Sequence, residues 1–388
     1  MNTGRGPAAD VWSVTSRSGT APGTVQVDAA GSPITVSCDT AALADVPEAW
    51  GTALCLPAAR AGATLRLPSP VDARWRAGAA ANVVTTSAWW GGQAHLTVEA
   101  VSSSEGGSAT KRAPSWRRPG ARPLRRPRSR GSRPAPGLAL CFTLGADSFF
   151  SLLVGDHRPT HLLYVVGFDV DPEDERRVAQ VIATVHAVAN EVGAEALIVR
   201  TDLRSHPQFA SVSWEHTHGA ALAAIGHLLH PTIGTLVIPP SYASTRLVPW
   251  GSRPDLDARW SVPGRLAVEH GDTSGRRVDR VLAIAADPLV HRHLRVCWRN
   301  ADGLVNCGRC EKCVRTMVML TGADQLQHCA TFPDRAALPA LLDALPALDP
   351  RHRGMWIDLL DLPIRPDERH AVEALLARHE GRDTTLGS

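Results

Sequence analysis

Four cysteines, Cys297, Cys307, Cys310 and Cys313, fall within 17 residues of the last third of the chain. The spacing Cys-x9-Cys-x2-Cys-x2-Cys supplies the four thiolates that a tetrahedral zinc ion takes. Because nothing in the sequence indicates secretion, the cluster favours a metal over disulfide bonds. Four protein ligands leave no open coordination position, so we expect a structural ion, with Lys312 and nearby arginines offsetting its negative charge. An iron–sulfur cluster and redox-active cysteines are the alternatives.

A second group of residues with chemistry lies in a short turn between a hydrophobic strand and an apolar helix, Thr143-Leu144-Gly145-Ala146-Asp147-Ser148. Such a turn exposes backbone N–H groups at a helix N-terminus, where the helix dipole favours an anion. The hydroxyls of Thr143 and Ser148 offer two further donors, and Asp147 either caps the helix or holds Mg²⁺ against a phosphate. A capped strand–turn–helix without a ligand is the alternative.

Both groups of residues resemble motifs of one enzyme superfamily. Residues 143–148 are similar to the pyrophosphate loop, Ser-Gly-Gly-x-Asp-Ser, of the N-type ATP pyrophosphatases, with Thr143 in place of serine and Leu144 in place of the first glycine. The cysteine spacing resembles the zinc site of the 7-cyano-7-deazaguanine synthases, one branch of that superfamily. The two motifs stand in the order that this branch has, and the resemblance covers residues 138–332.

The resemblance implies a fold, a reaction and a set of site residues. The implied fold is an α/β, doubly wound parallel sheet of the adenine nucleotide alpha hydrolase kind, and the implied cofactors are ATP, Mg²⁺ and Zn²⁺. The enzyme would adenylate a small-molecule carboxylate or amide, release AMP and pyrophosphate, and take ammonia, an amine or a sulfur donor as its second substrate. We expect an amide, nitrile or thioamide product in specialised metabolism. The implied catalytic residues are Asp147 and Ser148, and the implied nucleotide site is Thr143, Leu144, Gly145, Ala146, Asp147 and Ser148.

Composition divides the chain into four segments. We predict a β-rich N-terminal domain over 1–101, an Arg/Pro-rich linker over 102–137, the pyrophosphatase-like domain with its zinc site over 138–332, and a helical C-terminal part over 333–388. Short runs of β-forming residues separated by Gly, Pro and Ser indicate the first of these. These runs are Thr24–Val27, Ile34–Cys38, Thr64–Leu67, Asn82–Val84 and His95–Val101.

The third segment alternates strand and helix patterns, which is typical of a parallel sheet covered on both faces. The predicted strands are Leu138–Phe142, Leu162–Val166, Ala196–Val199 and Thr235–Ile238. The predicted helices are Glu173–Val192 and Gly219–Leu229. A loop over Ser241–Asp255 follows the last of these strands, where Tyr242, Trp250, Arg253 and Asp255 either bind a planar substrate or form an ordinary surface loop.

The net charge of +3 hides a local excess, because ten of the basic residues lie between Lys111 and Arg133. We expect this linker to be disordered, either as a solvated tether or as a grip on a polyanion. Two other functions therefore stay open beside the ligase. One is a zinc-stabilised binding protein with a degenerate nucleotide loop, and the other is an RNA-modifying enzyme of the same superfamily.

Composition also limits where the chain acts. The 44% of hydrophobic residues excludes a wholly disordered chain. No apolar run approaches the roughly 20 residues that span a bilayer, and no apolar stretch follows Met1–Pro7. We therefore expect a soluble, cytoplasmic protein without a membrane partner.

Overall fold

A ten-stranded, mostly parallel sheet runs through the computed structural model, which describes residues 10–18, 20–92, 94–100, 136–301, 303, 305–332 and 338–383. The basic stretch of the predicted linker lies outside the described residues. The strands are β1 (Val11–Ser16), β2 (Thr24–Ala29), β3 (Ser32–Cys38), β4 (Thr64–Leu67), β5 (Thr97–Ala100), β6 (Gly137–Cys141), β7 (His161–Val166), β8 (Glu195–Thr201), β9 (Ile233–Ile238) and β10 (Ala267–His270).

Thirteen α-helices in the described residues connect and cover these strands. They are α1 (Pro47–Ala61), α2 (Ala73–Ser87), α3 (Ala146–Leu153), α4 (Glu175–Val192), α5 (Pro207–Ala210), α6 (Trp214–Leu228), α7 (Pro254–Asp257), α8 (Arg277–Ile284), α9 (Pro288–His293), α10 (Glu311–Gly322), α11 (Leu338–Asp343), α12 (Pro350–Ile357) and α13 (Pro366–Asp383). None of the described helices is long and apolar enough to cross a membrane.

The five strands β6 to β10 form a parallel block in the order β10-β9-β6-β7-β8. The chain moves outward from β6 to β8 on one side and then crosses to β9 and β10 on the other. This reversal makes the doubly wound arrangement that the sequence predicts, with its switch point between β6 and β9. Open α/β sheets bind their ligands beyond the carboxyl ends of the strands at such a point.

Both faces of this block are buried, which explains why its strands are almost continuously hydrophobic. Side chains alternate between two cores, because successive residues of a strand point to opposite faces. Leu140 and Tyr164 belong to the core beneath α3, α4 and α8, whereas Cys141 and Leu163 belong to the core beneath α1 and α6. The predicted strands and helices of residues 138–238 all match observed elements within a few residues.

The N-terminal strands extend the same sheet. β2 pairs antiparallel to both β1 and β3, and β3 pairs antiparallel to β8, with Val36 opposite Thr201. The backbone N–H of Thr35 donates to Asp202 Oδ1 at 2.8 Å across this junction. α1 packs against α6, and one core cluster contains residues from both halves of the chain.

The prediction of a β-rich N-terminal segment is wrong in one respect, because α1 and α2 account for a large part of it. Asn82–Val84, predicted as a strand, lies inside α2. The β-branched residues after Asn82 favour a strand locally. The helix forms instead because Asp72 accepts hydrogen bonds from the N–H groups of Arg74 and Trp75 at its start and because Trp75 is fully buried.

The last segment is helical as predicted, and it completes a core rather than standing apart. Trp356 and Leu375 are buried in the same cluster as α3 and α8. Trp356 Nε1 also donates to Glu311 Oε1 at 2.8 Å, which connects α12 to the start of α10. The C-terminal helices therefore support the region of the cysteines.

The buried His227 makes the stability of this fold depend on pH. Its Nε2 lies 2.9 Å from the carbonyl oxygen of Trp260, and burial lowers its pKa to about 4, whereas an unfolded histidine titrates near 6.5. The unfolded chain therefore binds a proton that the folded chain excludes, and stability falls as the pH drops through this window. We expect His227 to account for about 3 kcal/mol of lost stability at pH 4.

Urea unfolding of wild type and His227→Gln at pH 7 and pH 4 measures this contribution. The variant should lose less stability between the two pH values than the wild type does. His186→Gln, at an exposed position of α4, is the matched control and should behave as the wild type. An unchanged pH dependence in His227→Gln would contradict the prediction.

Candidate functional site

The turn after β6 is held in an unusual backbone conformation. Leu144 has φ of 63°, in the left-handed region that glycine adopts readily and that costs other residues about 1–3 kcal/mol. The leucine side chain is 2% exposed within the core, and its carbonyl oxygen accepts a hydrogen bond from the N–H of Arg295 at 2.9 Å. These contacts keep the turn in the conformation that a glycine would take without strain.

The rest of the predicted loop forms the start of α3. Gly145 immediately precedes the helix, and Ser148 Oγ donates to the Gly145 carbonyl oxygen at 2.9 Å. Thr143 is exposed, and Asp147 is partly exposed in the first helical turn. An α-helix leaves its first N–H groups without partners inside the helix, so the N–H groups beside Asp147 can face an anion.

Four basic side chains from two helices surround Asp147. Arg277 and Arg280 come from α8, and Lys312 and Arg315 come from α10. Arg277 Nη2 lies 2.5 Å from Asp147 Oδ2, and Arg280 Nη2 lies 3.5 Å from Asp147 Oδ1. Lys312 and Arg315 lie within electrostatic reach of both Asp147 and Arg277. We call these four side chains the cationic cluster.

Burial makes the cationic cluster electrostatically unusual. Arg280 is 1% exposed, and among the described residues its Nε and Nη1 have no hydrogen-bond partner. Burial lowers the pKa of Arg280 and of Lys312, and it lowers that of Arg315 to about 10. Only two carboxylates, Asp147 and Glu311, form ion pairs with the cluster among the described residues. The cluster therefore has the charge and the free donors to bind an anion.

Sequence reasoning missed three of these four side chains. A usable signal was present, since Arg277 and Arg280 are three residues apart on one helix and Lys312 and Arg315 are three apart on another. Such spacing places both members of a pair on one helix face. Nothing in the sequence shows that the two faces meet at α3, because that depends on how α8 and α10 pack.

The structure brings the four predicted metal ligands together. The Sγ atoms of Cys297, Cys307, Cys310 and Cys313 are buried and lie within 4.8 Å of one another, and those of Cys307 and Cys313 are 3.9 Å apart. Zinc–sulfur bonds of 2.3 Å in a tetrahedron put the sulfurs about 3.8 Å apart. A single tetrahedral ion fits this spacing, whereas a cluster with several irons and sulfides between its thiolates needs a wider one.

The four thiols lie so close together that they cannot all lose their protons unless a cation lies between them. Hydrogen bonds from Cys310 and Cys313 lower the pKa of Cys297, and the same contact with Cys297 raises the pKa of Cys313. The first proton leaves readily, but a second thiolate beside the first is strongly disfavoured. A divalent cation removes this repulsion, which is why four buried cysteines at this distance suit a metal.

Asn306, which sequence reasoning also missed, holds the backbone next to the four cysteines, which we call the metal centre. Its Oδ1 accepts hydrogen bonds from the N–H groups of Val296 and Cys297 at 2.8 and 3.1 Å, and its Nδ2 donates to the carbonyl oxygen of Leu294 at 2.8 Å. The amide thereby ties the segment that carries the first cysteine to the turn that holds the other three. Such partners orient metal ligands without touching the metal.

The metal centre and the cationic cluster share one helix. α10 begins at Glu311, directly after Cys310, and Cys313 lies in its first turn. Lys312 and Arg315 lie in the first half of the same helix and within electrostatic reach of Asp147. An ion that fixes the three clustered cysteines therefore also fixes the position of half of the cationic cluster.

The predicted substrate loop is only partly assembled as expected. The rings of Tyr242 and Trp250 lie 5.4 Å apart, and Trp250 also contacts His218 with ring centroids 5.1 Å apart. Arg253 Nε instead donates to Asp255 within the loop, at 2.9 Å. The aromatic residues thus form a surface at the carboxyl edge of the sheet, while the two charged residues satisfy each other.

A large cavity opens beyond the ends of β7 and β8. Its volume is about 780 Å³, within the range of small-molecule sites. Thr35 and Ser37 from β3 line one wall, so the N-terminal strands contribute to it. Asp169 lines the other side and forms an ion pair with Arg295, the residue that holds the backbone of Leu144.

Comparison of this chain with family models, with curated proteins and with solved structures finds no match.

The metal centre gives a direct prediction of composition. Purified protein should contain about one zinc ion per chain, since four thiolates complete one tetrahedral site. Cys310→Ser should lose the ion, whereas Cys55→Ser, a buried cysteine outside the cluster, should keep it. Inductively coupled plasma mass spectrometry of wild type and both variants measures this. Several irons per chain with equivalent inorganic sulfide would contradict the prediction.

Proposed function

We propose that this chain binds ATP with its phosphates at the N-terminus of α3 and uses it to adenylate a small molecule. The observation that carries the proposal is the buried cationic cluster, and within it Arg280, which keeps two donor groups without partners. Buried charge of one sign is costly unless a partner neutralises it. A polyphosphate supplies such a partner from solution.

The position of the cluster supports this choice of ligand. α3 follows β6, the strand from which the parallel block is wound in both directions, and its N-terminus lies at the edge where such sheets bind ligands. The left-handed turn at Leu144 directs the chain into α3 in the manner of a phosphate-binding loop. The resemblance of residues 143–148 to the pyrophosphate loop points to the same group.

The residues suit the charge distribution of a departing pyrophosphate. Arginines and a lysine neutralise negative charge as the bond between the α- and β-phosphates breaks. Asp147 Oδ1 is buried and has no hydrogen-bond partner among the described residues, so it can serve as a protein ligand of Mg²⁺. One carboxylate is a weak magnesium site alone, and the phosphates would complete it.

The 780 Å³ cavity offers a place for the nucleoside or for the second substrate. Asp169, which lines the cavity, forms an ion pair with Arg295, whose N–H donates to the Leu144 carbonyl oxygen in the turn before α3. The reaction then has two stages. A carboxylate oxygen attacks the α-phosphate and pyrophosphate leaves; ammonia, an amine or a sulfur donor next attacks the carbonyl carbon and AMP leaves with the former carboxylate oxygen. An amide oxygen can be adenylated in the same way.

Arg280→Met tests the proposal, because it should change stability and ATP binding in opposite directions. Methionine fills the buried site without an unneutralised charge, so the free energy of unfolding should rise by about 1–3 kcal/mol. Affinity for magnesium ATP should fall at least about tenfold, since charge-assisted hydrogen bonds to phosphate are lost. Urea unfolding and isothermal titration calorimetry measure the two effects.

Arg292→Met is the matched control, because Arg292 is an exposed arginine paired with Glu191. It should leave both quantities unchanged. ATP affinity that is equal in wild type and Arg280→Met would place the phosphates elsewhere. A wild-type chain that holds zinc but binds no ATP would instead be the zinc-stabilised binding protein.

A further inference from the structure

A buried polar trio lies at the carboxyl end of β10, on the face of the sheet opposite the cationic cluster. His270 Nδ1 lies 2.6 Å from Asp257 Oδ2, and Ser252 Oγ donates to the same oxygen at 2.7 Å. The side chain of Asp257 is 0% exposed and that of His270 is 5% exposed. These three residues belong neither to the turn at residues 143–148 nor to the metal centre.

The contact with Asp257 sets the orientation of the imidazole. A carboxylate accepts hydrogen bonds, so His270 carries its hydrogen on Nδ1 and keeps the lone pair on Nε2 when the ring is neutral. Among the described residues, Nε2 has no hydrogen-bond partner, and it is not fully shielded from solvent. The ring therefore keeps a proton-accepting nitrogen on the side of the imidazole that faces away from Asp257.

The other titratable groups that face His270 are less suited to accept a proton. His218, on α6, lies within electrostatic reach, but burial lowers its pKa to about 4 and its Nδ1 is engaged by the Trp214 carbonyl oxygen at 3.1 Å. Cys141, at the end of β6, is buried beside Asp257, and burial raises its pKa. Burial also raises the pKa of Asp257, opposed by its hydrogen bond from His270. Of these groups, His270 is thus the one whose ring is held by a carboxylate and whose Nε2 has no partner among the described residues.

Two aromatic contacts lie between this pair and the cationic cluster. His218 contacts Trp250, Trp250 contacts Tyr242, and Tyr242 lies within electrostatic reach of Arg277 and Arg315. The backbone after His270 also approaches α3, where a Cβ on Gly271 would lie 3.2 Å from Ser151 Oγ. The pair and the cluster therefore border the same edge of the sheet from its two faces.

We propose that His270, held by Asp257, accepts the proton of the nitrogen nucleophile that attacks the adenylated substrate. The inference rests on the function proposed above. As ammonia or an amine forms a bond to the acyl carbon, the carbon–oxygen bond to AMP breaks. One N–H proton passes to His270 Nε2, and AMP leaves as an anion. The imidazolium, stabilised by Asp257, then returns the proton to water, so that the step balances.

The choice of nucleophile tests this role. Ammonia must shed a proton as it attacks, whereas hydroxylamine is a stronger nucleophile that depends less on a base. His270→Asn keeps a donor for Asp257 and loses the Nε2 lone pair. We first select, from a panel of carboxylic acids, one that supports ATP–pyrophosphate exchange by the wild-type chain. Product formation with ammonia and with hydroxylamine is then measured from pH 6 to 9, with exchange measured alongside.

We expect His270→Asn to keep exchange within about threefold of wild type, because adenylation does not involve this base. The rate with ammonia should fall about 100-fold, and the rate with hydroxylamine less than tenfold. His157→Asn, at a half-buried histidine that pairs with Glu269, is the control and should match wild type. Equal losses with both nucleophiles, or no loss, would overturn the inference while leaving adenylation intact.

Two further results keep the alternatives apart. No exchange by the wild-type chain with any acid would reject the proposed function itself, before any variant is considered.

Diethyl pyrocarbonate supplies a measurement on the native wild-type chain that does not require a variant to fold. The reagent should modify His270 at Nε2 and spare the fully buried His227, as mapped by mass spectrometry. An unmodified His270 would overturn the inference.

Discussion

Buried positive charge beside the N-terminus of α3 is the constraint that the surrounding structure accommodates. Arg280 lies almost entirely out of water, next to Arg277 and opposite one carboxylate, Asp147. Such an arrangement costs stability in the free protein, because like charges are held together where water cannot screen them. Helices α3, α8 and α10 pack tightly enough to hold it. An excess of buried positive charge of this kind is suited to a highly charged anionic ligand.

A metal ion held by the four cysteines would support that arrangement at a distance. A short helix such as α10 gains its stability from tertiary contacts rather than from its own propensity. Its start is fixed on one side by the cysteines and on the other by Trp356, which bonds to Glu311. A bound ion and the C-terminal helices would thus act on the cationic side chains through the placement of one helix end. A closed, structural metal site at these cysteines would suit a chain whose proposed chemistry needs no catalytic zinc.

The N-terminal half shows where local patterns mislead. Strands β2, β3 and β4 follow from alternating β-formers between turn residues, and they occur where the pattern puts them. α2 does not, because Val83 and Val84 favour a strand locally and only the cap at Asp72 and the burial of Trp75 decide for a helix. That these strands join the edge of β8 was also beyond local reasoning. The pairing of two strands more than 150 residues apart cannot be recognised from the local sequence of either strand.

The amino-acid sequence by itself determined what short stretches of chain enforce. The spacing of the cysteines brings three candidate ligands onto one turn. The order of strand, turn and helix around residues 143–148 exposes a helix N-terminus, and both features follow from local sequence. Only the tertiary structure decided which side chains meet there. It brought Arg280 to Asp147 across 133 positions and aligned His270 with Asp257 at the sheet edge. The reason is that a side chain's charge and type are local properties, whereas its partner is set by how helices and strands pack.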